Sequence, residues 1–526
     1  MADPSPLLPA GLTSPEPPPA DHKAAAAHNL DDAIEQSVGS FGPAQLIQAL
    51  LVSFAWVFDA QQTFINVFTD AQPSWHCTRP DDAACATAAA PCNLPAASWA
   101  WDRPATASVV SEWGLLCASP LVVGLPPSSF FAGCLAGGLL LSTLADSTLG
   151  RKKMLFFACL IMSATGALTA AAQNLWVYSA LRFVSGFGRA TIGTCALVLS
   201  SEIVGKQWRG QVGVISFFCF TLGFLSLPAI AYLARAFSWR LLYLCISLPA
   251  MLYCAAVYFF VHESPKWLFV RGRKEDAIQT LESIATSNGK MLLSSFSRVP
   301  MEEELPGGGS AADIYSALKI LWERRWSLRR LTMAMVVAFG VGVVYYGMPL
   351  GAGSLDVSLY LSVTFNALAE LPSALLSFFI LGKLSRRRSV IFLTALSGLC
   401  SVLCLVVGGG DWKVLQMGLE LVAFFSACTS FNIVMIYGLE LFPTCVRNSA
   451  LAMVRQATVM GGVLSPALVA AGRKDEFWSF GVFGLVIGGC GLFVIGLPET
   501  RGGPSYDTME EEEKRIMAVK AEAVLV

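Results

Sequence analysis

The sequence predicts an all-α membrane protein, with about twelve transmembrane helices in two pseudo-symmetric six-helix bundles. Three observations carry that reading. The 526 residues are 55% hydrophobic and 14% charged, with a mean hydropathy of +0.59, whereas a soluble domain carries about 25% charged residues. Uncharged runs long enough to cross a bilayer recur along the whole chain instead of collecting in one core. Short polar motifs between those runs return in the second half in nearly the register of the first.

A bilayer crossing needs about 20 predominantly apolar residues. Such runs lie at 44–66, 120–144, 153–172, 175–200, 210–233, 240–261, 329–350, 356–381, 389–408, 412–438, 449–471 and 477–497. Helices and closed barrels alone satisfy the backbone inside hydrocarbon, and these runs far exceed the alternating segments of about ten residues that build a barrel. The seventh and eighth runs are parted by a Gly-rich turn at Gly351 and Gly353. Residues 1–40, rich in Pro and Ala with both charge signs, read as a disordered cytoplasmic tail and not as a signal peptide. The organisation that follows is an N-terminal bundle at 41–261, a central cytoplasmic loop at 262–328, a C-terminal bundle at 329–497 and a cytoplasmic tail at 498–526. In that tail Glu510 to Glu513 read as a solvated acidic helix or as disordered chain.

Lys and Arg set the orientation. Arg151, Lys152 and Lys153 follow the second run, Lys206 and Arg209 the fourth, Lys383 and Arg386 to Arg388 the eighth, and Arg447 the tenth. With alternating spans all lie on one side, together with Lys266, Arg271, Arg273, Lys274, Arg324 and Arg325 of the central loop. That side is expected to be cytoplasmic and to hold both termini. Arg235, Arg240, Arg473 and Lys474 are exceptions on the opposite side. Segment 67–118 then faces outward or into a lumen. Its Cys77, Cys85, Cys92 and Cys117 can form two disulfides in three pairings, and it has no Asn-x-Ser/Thr glycosylation sequon.

The repeat is carried by three loops. Glu202 and Arg209 stand seven apart after the fourth run, as do Glu440 and Arg447 after the tenth. Glu263 follows the sixth run and Glu499 the twelfth, and the basic turn at Arg151 aligns with Arg387. Parallel repeats joined by a long central loop suit proteins that rock two halves about a midplane site.

Other classes are excluded by what is missing. A net charge of −1 gives no footprint for nucleic acid. The four histidines form no cluster, no cysteine or acid spacing fits a metal, and no cofactor is implied. No nucleophile elbow, P-loop or dinucleotide fingerprint stands in a suitable context, so the chain is not expected to be an enzyme.

The turn Leu144-Ala145-Asp146-Ser147-Thr148-Leu149-Gly150-Arg151-Lys152 resembles the loop signature of the major facilitator superfamily. It departs from it at Ser142, where the pattern has Gly, and by one extra residue between Asp146 and Gly150. His262-Glu263-Ser264-Pro265-Lys266-Trp267-Leu268 and Leu497-Pro498-Glu499-Thr500-Arg501-Gly502 resemble the matching motifs of sugar porters and organic-ion carriers. Glu440-Leu441-Phe442-Pro443-Thr444-Cys445-Val446-Arg447-Asn448 narrows the resemblance to the organic cation/carnitine transporter family. Trp56-Val57-Phe58-Asp59-Ala60-Gln61-Gln62-Thr63-Phe64 is most similar to its plant branch. The resemblance implies the major facilitator fold and the carriage of a small organic solute by alternating access, with protons as an optional coupling ion. It leaves the plasma and vacuolar membranes both open. A sugar or phosphate carrier of the same fold, and a non-transporting receptor or scaffold, are the alternatives.

Charges inside spans are costly and mark functional positions. Asp59 in the first span can act as a cation counter-ion or a coupling carboxylate, with Gln62 beside it. Glu370 stands by Pro372 in the eighth span, where the resemblance implies an acid that receives a cation. Arg182 resembles the buried arginine of proton-coupled facilitators, and Arg455 lies in or at the end of the eleventh span. Phe339, Tyr345, Tyr346 and Tyr437 offer aromatic faces to a quaternary ammonium, a contact worth about 0.5–2 kcal/mol. Asp146, Gly150, Arg151, Glu202, Arg209, Glu440 and Arg447 are expected to latch one conformer. Cation carriers of the family place an acid where this chain has Val459 and a tryptophan where it has Ala338, so the resemblance to cation carriers is incomplete at those two positions. A site with both charge signs would suit a zwitterion such as carnitine.

Overall fold

Among the described residues, six of the apolar helices begin on a Lys or Arg. The computed structural model describes residues 35, 39–79, 85, 91–95, 97–141, 149–287, 319–354, 358–407, 412–443, 445–473, 476–501 and 508–525. The tail through residue 34, Asp146, Lys474 and the 288–318 part of the central loop lie outside the described residues. Twelve apolar helices are seen among the described residues: α1 Pro43–Thr69, α2 Leu125–Leu140, α3 Arg151–Thr169, α4 Leu175–Glu202, α5 Arg209–Ala236, α6 Trp239–Phe260, α7 Arg325–Gly351, α8 Leu359–Lys383, α9 Arg386–Val407, α10 Lys413–Glu440, α11 Arg447–Gly472 and α12 Phe480–Gly496. Ten of them are long and apolar enough to cross a membrane, which makes the chain a multi-pass integral membrane protein. Helices α2 and α12 are shorter. At 1.5 Å per residue the 16 residues of α2 span about 24 Å of a hydrocarbon core about 30 Å thick. The predicted run there begins earlier because it includes the separate helical turn Pro120–Val123.

Packing follows the repeat. Within the first half α4 lies along α2 and α3, and α6 along α3; within the second α10 lies along α8 and α9, and α12 along α9. The halves meet at two seams, α2 against α11 and α5 against α8. These seams exchange when α1–α6 is mapped onto α7–α12.

The motif glutamates explain why the repeat persists at the basic face. The first turn of any helix leaves N–H groups without intrahelical partners, and they favour a nearby anion. Glu263 accepts from the backbone N–H of Arg151 at 3.0 Å and of Lys152 at 3.0 and 3.2 Å. Glu499 accepts from the N–H of Arg386 at 2.9 Å and of Arg387 at 3.2 Å. The structural counterpart of Arg151 is therefore Arg386, one residue before the sequence alignment placed it. Gly150 is required by this arrangement: its φ is +81°, and a Cβ there would stand 2.4 Å from Glu263 Oε2. Arg151 Nε lies 3.9 Å from Glu202, and Arg386 holds Glu440 by two bonds of 3.0 and 3.2 Å. Arg447 donates to Phe442 O at 3.3 Å.

The tail is neither disordered nor simply solvated over its described part. Helix α13, Met509–Leu525, sets Met509 against Leu331, Leu441 and Phe442. Glu512 is 4% exposed and takes Arg330 at 2.7 Å, and Arg324 pairs with Glu510 and Glu513. Anchoring arginines at the start of α7 turn the acidic run into a docked helix.

The opposite face carries the disulfides Cys77–Cys85 and Cys92–Cys117, which settle the three possible pairings. A two-stranded antiparallel ribbon joins β1 Trp75–Cys77 to β2 Trp99–Trp101. Three of the four basic exceptions on this face have partners, the fourth, Lys474, lying outside the described residues. Arg240 pairs with Glu112 at 2.5 Å, Arg235 lies 3.7 Å above the Tyr232 ring, and Arg473 donates to Asp70 O at 3.0 Å. Burial pushes the Glu112 carboxyl up, but bonds from Arg240 and Trp239 and the Arg240 charge outweigh it and hold the group below its usual range.

The two cap glutamates differ in their balance. Burial pushes Glu263 above the usual carboxylate range, against the N–H groups of Lys152, Ser264 and Arg151. At Glu499 burial acts in the same sense, but the N–H groups of Arg386, Arg501 and Arg387 outweigh it and hold the group low. A depressed native value gives stability that is present above the unfolded value, about 4.3, and is lost as pH falls through the native one. Glu499→Gln is therefore expected to cost about 1 kcal/mol at neutral pH. Thermal unfolding in detergent should show that difference closing below about pH 4. A gap independent of pH would mean that the cap does not act through its charge.

Candidate functional site

Between the halves lies a cavity of about 330 Å³. Its wall comes from α1, α2, α4 and α5 on one side and from α7, α8, α10 and α11 on the other. It reaches the basic-face ends of α10 and α11 at Leu439 and Leu451. Toward the disulfide face the halves close on each other. Phe68 of α1 stacks on Tyr360 of α8 at 5.5 Å, Tyr232 of α5 meets the same ring edge-on at 5.4 Å, and Arg473 ties the end of α11 to Asp70 beyond α1. The cavity extends to the basic face, while these contacts separate it from the disulfide face.

Four charged side chains line the cavity: Asp59, Arg189, Glu370 and Arg455. Asp59 and Arg189 form a two-pronged pair, Nε to Oδ1 at 2.5 Å and Nη2 to Oδ2 at 3.2 Å, both nearly buried. Glu370 receives the Tyr345 hydroxyl on Oε1 at 2.8 Å, while its Oε2 is buried without a partner. Tyr345 also stacks on Phe431 at 5.0 Å and on Phe424 at 6.1 Å, so an acid and parallel aromatic faces occupy one corner. Arg455 stands elsewhere in the wall, and the charges that face it are Arg189 and Asp59. It has no ion pair among the described residues. Room for its guanidinium comes from Gly193 of α4, where a Cβ would stand 3.1 Å from Nη2. Val459 lies in the wall near it.

Several expected site residues fall outside the cavity. Gln62 is fully buried in the first half, accepting from Arg182 at 3.2 Å and donating to Ser247 at 3.1 Å. Arg182 is 0% exposed; it donates to Gln62 O at 2.9 Å and Asn66 Oδ1 at 2.5 Å, and lies 4.1 Å above the Phe130 ring. Asn66 in turn donates to Asp70, which also holds the Tyr178 hydroxyl at 2.8 Å. Arg182 thus faces α1 and α2, and the partner of Asp59 is Arg189. Phe339 packs at the α7–α11 contact, its carbonyl 2.6 Å from where a Cβ on Gly461 would be. The Tyr437 hydroxyl donates to Pro498 O at 2.5 Å, fixing the chain beyond α12. Ala338 is buried and does not line the cavity. Tyr346 is at the cavity, tilted 4.6 Å from Phe131 across the α2 seam. Arg189 was missed from sequence, although it stands seven residues after Arg182 and so on the same face of α4.

The chain matches the sugar (and other) transporter family over residues 83–511. It is 56% identical over 502 residues to organic cation/carnitine transporter 2 of Arabidopsis thaliana, covering 94% of this chain and 95% of that protein. Organic cation/carnitine transporter 3 of the same plant is 57% identical over 493 residues, 93% and 94% of the two chains. This chain belongs to the organic cation/carnitine transporter family. The structure of the major facilitator superfamily proton:xylose symporter XylE bound to 6-bromo-6-deoxy-D-glucose superposes on it with a TM-score of 0.58 at 17% identity, over 90% of this chain and 99% of that one. That likeness establishes the major facilitator fold. The relatives named above are transporters, and the chemistry of this one is solute binding and release and not catalysis.

Breaking the buried pair tests its place in the transporter. Asp59→Asn leaves the Arg189 charge uncompensated and is expected to cost about 3–5 kcal/mol. Adding Arg189→Gln should recover part of that loss in thermal unfolding. Strictly additive single and double substitutions would remove the pair from the account.

Proposed function

We propose that this transporter carries organic cations or carnitine-like zwitterions by alternating access, driven by a proton gradient. In this reading all twelve apolar helices cross the membrane, six to each half, and the halves rock about the cavity. The basic face is cytoplasmic, holds both termini, and belongs to a plasma or vacuolar membrane; the disulfide face is external or lumenal. The conformer described above is then the inward-facing one.

The observation that carries the substrate reading is the pair of unsatisfied charges in one cavity. Glu370, with its free oxygen and the Tyr345 and Phe431 rings, forms a corner for a quaternary ammonium. Arg455, unpaired among the described residues, offers a carboxylate its counter-ion. The relatives named for organic cations and carnitine support the substrate class. Asp59–Arg189 is the coupling pair we assign to the first half: protonation of Asp59 would free Arg189 and loosen α1 from α4. Arg151–Glu202 and Arg386–Glu440 act as latches on the cytoplasmic side, each tying helix ends within one half so that the half moves as a unit when the cavity closes and opens, while Gly150, Arg209 and Arg447 shape the turns that bear them.

Labelled carnitine and tetraethylammonium, taken up by proteoliposomes with and without a pH gradient, test the reading. Glu370→Gln should raise KM for both about tenfold, and Arg455→Gln should raise it for carnitine alone, each equivalent to about 1.4 kcal/mol. Saturable uptake of neither solute would sink the substrate assignment. Uptake indifferent to the gradient would sink the coupling.

A further inference from the structure

Helix α10 carries a carboxyl group that the cavity does not use. Glu420 is 0% exposed, and no Lys or Arg pairs with it among the described residues. Asn366 of α8, also 0% exposed, donates from Nδ2 to Glu420 Oε1 at 3.1 Å. Two atoms of this pair are left without partners: Glu420 Oε2 and Asn366 Oδ1. An ionised carboxylate here would be buried against a single neutral donor, and an orphaned amide oxygen adds its own desolvation cost. One proton on Oε2 resolves both. It neutralises the acid and gives Asn366 Oδ1 a donor, closing an acid–amide pair with two hydrogen bonds.

We propose that Glu420 is a proton-binding site of the C-terminal half, held in its acid form by Asn366 and exchanged once per transport cycle. Its position supports exchange. Ser362, Asn366 and Glu370 stand four apart on α8, hence on one face. Ser362 is buried with an unpartnered hydroxyl and lies toward the disulfide face; Glu370 lines the cavity open at the basic face. A proton enters past Ser362 when the disulfide face is open and breaks no bond but its own in water. It leaves by transfer to the Glu370 carboxylate and then to cavity water, returning Glu420 to its ionised form.

Few other groups bear on this titration. Cys428 of α10 itself faces both Glu420 and Glu370. From α9, Cys404 donates to Gln416 O one turn before Glu420, and Cys400 stands one turn further along α9. From α8 the only acid is Glu370, whose Oε1 is taken by Tyr345 of α7. From α11 the charge is Arg455, which faces Asp59 and Arg189.

Two measurements on the full chain decide the matter, and the first needs no solute. Infrared spectra of the protein in nanodiscs at neutral pH should contain a carboxylic-acid carbonyl band that Glu420→Gln removes and Asn366→Leu shifts. Gln preserves the shape and both hydrogen bonds, so that variant should fold. Identical bands in the wild type and Glu420→Gln would overturn the proposal. The second rests on the proposed solute: Glu420→Gln should keep carnitine counterflow while its stimulation by a pH gradient falls to about one-fold. Undiminished stimulation would overturn the exchange. If the wild type moves no solute, the substrate reading fails and the infrared titration alone decides, requiring the band to fade as pH rises.

Discussion

An arginine set deep in a membrane span must be held by its neighbours, and α4 carries two of them, seven residues apart. Much of the first half is arranged around that need. Arg182 is met by the side chain and backbone of Gln62 and by Asn66, all from α1, and by the Phe130 ring of α2. Arg189 is met by Asp59 of α1, with its guanidinium 5.9 Å from the same Phe130 ring. Helix α1 is thereby bound to α4 at two levels, one composed of amides and one of a carboxylate. The difference matters mechanically. Amide bonds to an arginine do not respond to a proton, whereas a carboxylate partner does. On the proposed reading, the amide level at Arg182 would stay fixed while the carboxylate level at Arg189 could be released.

The basic face obeys the same rule in a different medium. There the groups needing partners are the first N–H groups of α3 and α9, and Glu263 and Glu499 supply them from the chain that leaves α6 and α12. Each cap therefore joins the end of one helix to the start of another within its own half. The arginine at the capped end, Arg151 or Arg386, then reaches Glu202 or Glu440 at the end of α4 or α10. Three helix ends per half become one rigid corner. Rigid corners are what rocking requires, because a half that deforms cannot transmit a closing motion from one face to the other.

The apolar helices and the basic turns with their glutamate partners were legible in the sequence because each depends on local composition: a charge is present or absent, a glutamate recurs or does not. Membership of the cavity was not legible in that way. Asp59 and Gln62 are three residues apart in one helix, yet Asp59 turns to Arg189 and the cavity while Gln62 turns to Arg182 and Ser247. Tyr345 faces Glu370, whereas Phe339 and Tyr437 are spent on helix contacts and on Pro498. The azimuth of an apolar helix in a membrane is set by its neighbours, since lipid gives no polar side to mark the outward face. Resemblance pointed to Arg182 because it identifies the helix and the residue type, whereas its partners Gln62 and Asn66 appear only in the packed structure.

The unsatisfied charges of the cavity bear on how it can move. A half-transporter that rocks with an unpaired Glu370 on one wall and an unpaired Arg455 on the other must close over both. Closing over isolated charges in a low-dielectric space is costly, several kcal/mol for each ion. A zwitterion spanning the two walls removes both costs at once, while a simple cation removes one and leaves Arg455 to be met by Asp59. That second arrangement would draw Asp59 away from Arg189, the pair assigned to coupling in the proposed reading. Solute charge and proton would then compete for the same carboxylate. On the proposed reading, the kind of solute the cavity holds would determine whether the Asp59–Arg189 pair stays shut.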